Sequence, residues 1–169
     1  MSKFYDEFFA QKGGKHDELV MKCVSKDSIN NILNLTHATD VIEEDAIKCK
    51  DHPMISDHKT SIDYETEVIC NNGNFIIGYA DILITVKSNL IFKPDAFGTQ
   101  ELNVYHIIII EVKPELSDIG SVLRQLKTYE QCILQNKDTR VSKIIATYSN
   151  ISEDVKDYLL HEGVHVIKF

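Results

Sequence analysis

Asp81, Glu111 and Lys113 are the residues of this chain whose types and surroundings best suit chemistry. Residues 107–116 read IIIIEVKPEL. Side chains alternate along a strand, so Ile107, Ile109, Glu111 and Lys113 share one face. A carboxylate and an ammonium thus follow two apolar residues on a face expected to be buried. Burying charge costs several kcal/mol, on the order of a whole protein's net stability, unless the charges are paired or bind an ion. Residues 75–86 read FIIGYADILITV, and Asp81 interrupts a run that is otherwise apolar. If these two strands form a hairpin, Asp81 approaches Glu111. Two neighbouring carboxylates repel, and a divalent cation resolves the repulsion. Hard oxygen ligands suit magnesium or manganese. Such an ion polarises a phosphate oxygen and lowers the pKa of bound water. Lys113 would orient that water or stabilise the developing negative charge.

The elements needed to bring these residues together are legible in the periodicity. Ile62, Tyr64, Thr66 and Val68 alternate with Asp63, Glu65 and Glu67, which is strand spacing. Asn71-Asn72-Gly73-Asn74 is a hairpin turn signal. Residues 75–86 form the second strand and 87–103 a long hairpin loop. Residues 105–113 form the third strand, ended by Pro114, which cannot donate to a ladder. Ser117 or Asp118 caps a helix running to about Gln135, with an apolar stripe of Ile119, Val122, Leu123, Leu126, Tyr129 and Ile133. A fourth strand follows at 143–148. Ser152 caps a helix over 153–161, Gly163 closes it, and residues 164–169 are a fifth strand. Upstream, residues 17–50 read as mostly helical and 51–60 as a loop. Phe4, Tyr5, Phe8 and Phe9 suggest a short helix before Gly13-Gly14, packed on the body or on a partner. The expected architecture is a single domain over residues 1–169. It is mainly helical over 1–60, with a sheet core over 61–169. Three meandering strands followed by βαβ-type crossovers make an α/β fold, a central mixed sheet flanked by helices.

Asp81, followed by Glu111-Val112-Lys113 at a strand end, resembles the motif of the PD-(D/E)XK nuclease superfamily. Gln125 and Tyr129, four apart on the helix that follows, share a face. They look like the QxxxY motif of the RecB-like and lambda-exonuclease-like branch. The likeness spans roughly residues 60–150 and implies a restriction-endonuclease-like core. It implies that Asp81 and Glu111, with the Val112 carbonyl, hold Mg2+ or Mn2+. Gln125 and Tyr129 would position the metal shell or the substrate backbone. The family also draws an acid, or in some branches a histidine, from an upstream helix. Glu43, Glu44, Glu67, His37 and His58 are all candidates here.

The remaining features bound the function. The net charge of −8 argues against tight, nonspecific binding of duplex nucleic acid. Cys23, Cys49, Cys70 and Cys132 make no zinc-type spacing and read as thiols in a reducing compartment. The first residues lack the apolar core of a signal peptide, and the longest solid apolar run, 107–110, is far too short for a bilayer. An intracellular, cytoplasmic protein is expected, or one in a host cell interior if viral, with no membrane contact. The leading reading is a Mg2+- or Mn2+-dependent nuclease hydrolysing DNA, with RNA the alternative substrate. A noncatalytic nucleic-acid-binding module on the same fold, or an accessory subunit needing a partner protein, are the competing readings. A homodimer would suit cutting both strands of a duplex.

Overall fold

The structure, a computed structural model, describes residues 14–39, 55–72, 74–92, 100–134 and 139–169. The expected helix over residues 1–12, the candidates Glu43 and Glu44, and Cys49 lie outside these residues.

Among the described residues, the expected upstream helical region (17–50) holds two helices; residues 40–50 of it lie outside them. α1 spans Gly14–Cys23 and α2 spans Lys26–Thr36. The break falls where Ser25 adopts an extended conformation and its side chain accepts the Ser28 N–H, an N-cap that restarts the helix. α2 ends at His37 in the left-handed region (φ 50°), its N–H satisfying the last carbonyls.

Among the described residues five strands follow, interleaved with two more helices. They are β1 (Ile55–Asn72), β2 (Phe75–Phe92), β3 (Gln100–Val112), α3 (Ile119–Ile133), β4 (Thr139–Thr147), α4 (Glu153–His161) and β5 (Val164–Lys168). The sheet order is β1-β2-β3-β4-β5, with β1/β2 and β2/β3 antiparallel and β3/β4 and β4/β5 parallel. This is the mixed α/β sheet that the sequence implied. Asn72 pairs with Phe75 on either side of the expected turn. Two expected loops are partly strand. Residues 55–60 extend β1, and residues 87–92 and 100–103 extend the β2/β3 hairpin. Backbone pairing continues there although polar residues break the apolar pattern: Ser88, opposite Val104, is fully buried.

Helices cover both faces. α1 and α2 bury Leu19, Cys23, Ile32 and Leu33 against Ile82, Ile84, Val86, Ile108, Ile110, Val112, Ile144 and Ala146. α3 and α4 bury Val122, Leu126, Tyr129 and Leu159 against Cys70, Ala80, Ile109, Ile145 and Val164. Each fully buried isoleucine contributes about 1.5–3 kcal/mol, and the β3 run 108–110 feeds both faces. Asp118, the second of the two proposed caps, accepts the Ser121 N–H at 3.0 Å and starts α3. Among the described residues no helix is long and apolar enough to cross a membrane. Cys23, Cys70 and Cys132 form no disulfide.

Candidate active site

The site lies where β2 and β3 part. Their ladder runs up to Ile82↔Ile110 and stops, while β3 stays paired with β4 through Glu111↔Ile145 and Val112↔Ala146. The strand that leaves its neighbour needs new partners for its backbone groups. Asp81, one step beyond the last pair and 2% exposed, supplies one: its Oδ2 accepts the Val112 N–H at 2.8 Å. The aspartate that interrupts the apolar run is therefore in contact with the peptide joining Glu111 to Val112.

Glu111 is 1% exposed, and its Oε1 accepts from Lys113 Nζ at 2.5 Å. Lys113 is about one-third exposed at 32% and so places a cation between the buried acid and solvent. Its backbone is anchored, because its N–H donates to the Ala146 carbonyl at 2.9 Å. The two carboxylates reach the fork from different sides. Asp81 is turned towards α1, where it faces His16 and where the Cys23 thiol pKa is raised by burial and then by the Asp81 charge. Glu111 lies on the α3 side, where its charge acts on Tyr129 and Cys70.

Gln125 and Tyr129 meet as their spacing predicted. Gln125 Nε2 donates to the Tyr129 hydroxyl at 2.7 Å. The tyrosine is 2% exposed, and burial, reinforced by the Glu111 and Asp81 charges, pushes its phenol pKa well above the ordinary value. It stays protonated and is a hydroxyl donor at any working pH. Its ring reaches β2: a Cβ at Gly78 would lie 2.9 Å from the hydroxyl and 3.0 Å from the ring edge. Glycine at 78 is what lets α3 bring Tyr129 this close.

The residue that sequence reasoning missed is His16 on α1. It is 8% exposed, with Nε2 3.3 Å from Asp81 Oδ1 and Nδ1 3.4 Å from Asp17 Oδ1. The signal was present. His16 stands three residues before Leu19 and seven before Cys23, on the buried stripe of an otherwise polar helix. Of the upstream candidates weighed instead, His37 caps α2, and Glu67 sits on β1 opposite Asp81. His58 is paired in the backbone of β1, with its side chain outside what the structure describes.

The structure thus brings together Asp81 with Val112 and His16, Glu111 with Lys113, and Gln125 with Tyr129. Among the described residues it does not gather three or more His, Cys, Asp or Glu side chains into a group able to hold a metal ion. Two clefts open beside the fork. One, of about 400 Å3, is lined by Lys15, Glu18, Lys22, Pro114, Tyr148 and Ser149 among others. The second, of about 320 Å3, includes Gly78, Arg124, Gln125, Thr128 and Tyr129. In the first, Lys15 and Lys22 are ion-paired with Glu115 and Glu18; the second carries a cation, Arg124.

No protein-family model matches the chain, and no curated protein matches it. Among solved structures, the chain is similar to a repair endonuclease from Pyrococcus abyssi, at 14% sequence identity and a TM-score of 0.31, over 86% of this chain and 95% of that one.

Proposed function

We propose that this chain is a metal-dependent nuclease acting on DNA, with His16, Asp81, Glu111 and Lys113 at its active site. The observation that supports it most is the junction at the fork. A buried aspartate touches both an imidazole and the peptide of the Glu111-Val112-Lys113 strand end. The chemistry of the donors suits a hard divalent cation. If Nδ1 of His16 carries the proton and donates to Asp17, Nε2 turns a lone pair towards Asp81 Oδ1. An acceptor then faces an acceptor, and a cation between them resolves the conflict. The carboxylate behind the imidazole is the usual arrangement for a metal-binding histidine. The 3.3 Å spacing is close to the roughly 3 Å between adjacent ligands held about 2.0–2.2 Å from one ion. His16 Nε2 and Asp81 Oδ1 would hold it, with waters and phosphate oxygens as the remaining donors, while Glu111, on the α3 side of the fork, keeps to Lys113.

When bound, the ion would supply positive charge to a phosphate oxygen and acidity to a water. The protein's own groups do the rest. Lys113 offers ammonium protons to a non-bridging phosphate oxygen or to the attacking water, where negative charge develops. Glu111 holds that ammonium in place. Tyr129, with its oxygen occupied by the Gln125 amide, keeps its hydroxyl proton for the substrate backbone or the Glu111 side. Arg124, in the cleft beside Gln125 and Tyr129, would give a neighbouring phosphate a favourable potential.

A second reading, a noncatalytic nucleic-acid-binding module on the same fold, is favoured by the missing three-ligand cluster among the described residues. One experiment separates the two. Purified protein is incubated with single- and double-stranded DNA, and with RNA, with and without Mn2+. Metal-dependent cleavage that disappears in Asp81→Ala and Lys113→Ala supports the nuclease and identifies its substrate. Metal-independent binding without cleavage supports the module.

A further inference from the structure

Glu67 lies in the middle of the 18-residue strand β1 with φ at +55°. That is the left-handed region, which L-residues other than asparagine and aspartate seldom enter and which regular strands do not use. Between Asp57 and Cys70 the β1/β2 register passes over Glu67 alone: Thr66 pairs with Ile82 and Val68 with Ala80. The register is the same on both sides, so no residue is inserted. The interruption falls on Glu67 and, opposite it, Asp81.

Its consequence appears in the packing of β2. Strict alternation would put Ala80 and Ile82 on the same face. Instead Ala80 packs with α3, while Ile82, Ile84 and Val86 pack with α1 and α2. Leu83 packs on the α3 side, so alternation resumes beyond the interruption. Had alternation run unbroken back from Ile82, Asp81 would share the α3 face with Leu83. It faces His16 on α1 instead.

We infer that Glu67 is a positioning residue, whose left-handed backbone resets the β1/β2 alternation and so aims Asp81 at His16 and the Val112 amide. The inference rests on reading Asp81 as a site residue and goes beyond it, because the Glu67 carboxylate is given no part. A strained backbone conformation maintained beside a buried charged group is the kind of cost that proteins carry at functional sites.

The test varies backbone preference while removing the same charge. Glu67→Gly and Glu67→Asn enter the left-handed region readily; Glu67→Val, β-branched, resists it. The readout is the Val112 amide in 15N-labelled protein: its proton shift, moved downfield by the Asp81 carboxylate, and its hydrogen exchange. Asp81→Ala gives the value for a lost bond. The Gly and Asn variants are expected to keep the wild-type Val112 signal, and Glu67→Val to move to the Asp81→Ala position with exchange at least tenfold faster. Cleavage of DNA follows the same order, with Val below Gly. Where Glu67→Val does not fold, Glu67→Thr, β-branched but polar, takes its place. A Val112 signal lost in Gly and Asn as fully as in Val overturns the proposal in favour of the carboxylate. A signal kept in the β-branched variant overturns it outright. The amide signal needs neither metal nor substrate. A wild-type protein that cuts nothing therefore counts against the nuclease reading alone.

Discussion

His16 Nε2 stands 3.3 Å from Asp81 Oδ1, joining a helix near the start of the chain to the strand that carries the buried aspartate. Two arrangements produce that distance. The imidazole can carry a proton on Nε2 and donate it to the carboxylate, or leave Nε2 unprotonated and poised to share a cation with it. The two differ in what removal of the imidazole does. If the pair is a metal site, His16→Gln and Asp81→Asn each weaken Mn2+ binding by about 10–100-fold, the usual cost of disturbing a metal ligand or its support. Calorimetric titration of Mn2+ into the apo-protein measures this directly. Wild-type affinity in both variants would leave only the donated hydrogen bond.

Glu111 and Lys113 make a half-buried pair, so their contributions to stability and to activity can be separated. Removing one partner strands the other charge, at about 3–5 kcal/mol in a fully buried site. Lys113 is 32% exposed and water can replace it in part, so Lys113→Met should cost less, about 1–3 kcal/mol, by urea unfolding. Glu111→Gln combined with Lys113→Met removes the stranded charge and should recover most of that loss. Cleavage should stay abolished in the double variant. Recovery of both would assign the pair to the fold rather than to the chemistry.

Gly78 tests whether the placement of Tyr129 matters. An alanine Cβ there would lie 2.9 Å from the phenol oxygen and 3.0 Å from a ring carbon. The ring must move away, at about 1–3 kcal/mol of overpacking. Gly78→Ala should therefore lower stability and break the Gln125–Tyr129 bond. Adding Tyr129→Phe removes the closest contact, so the double variant should be less destabilised than the sum of the two singles. Thermal unfolding of all four proteins completes the cycle, and strict additivity would show that the contact is not felt.

The parts of this candidate site carried by regular elements were legible, and those carried by exceptions were not. Asp81 declared itself by polarity within an apolar strand, and Glu111 with Lys113 by alternation beyond Ile109. Gln125 and Tyr129 followed from helical spacing. His16 escaped notice because an isolated histidine on a short polar helix is usually structural, and its partner is distant in sequence. Ser25 reads as an ordinary polar residue inside a helical stretch until its capping bond is seen. Strand ends were misjudged at residues 87–92 because β2 continues by backbone pairing, to which side-chain polarity is nearly blind. The backbone of Glu67 could not be read: nothing in its type announces a positive φ.

His106, buried, and His165, half-buried, make stability depend on pH. His106, 4% exposed with Nε2 2.9 Å from Ser142 Oγ, has its pKa lowered by burial and then by Arg140. His165 is lowered by burial and then by His37. A histidine whose folded pKa lies below its unfolded value binds its proton more readily in the unfolded chain. Its stabilising effect is complete above the unfolded pKa of about 6.5, is lost as pH falls below that, and levels off beneath the folded pKa. Urea midpoints should therefore decline from pH 7.5 to pH 5. The slope should flatten by part in His106→Gln and further when His165→Gln is added. An unchanged slope in both variants would move the acid sensitivity to other groups, since neither substitution leaves a side chain able to take up the proton.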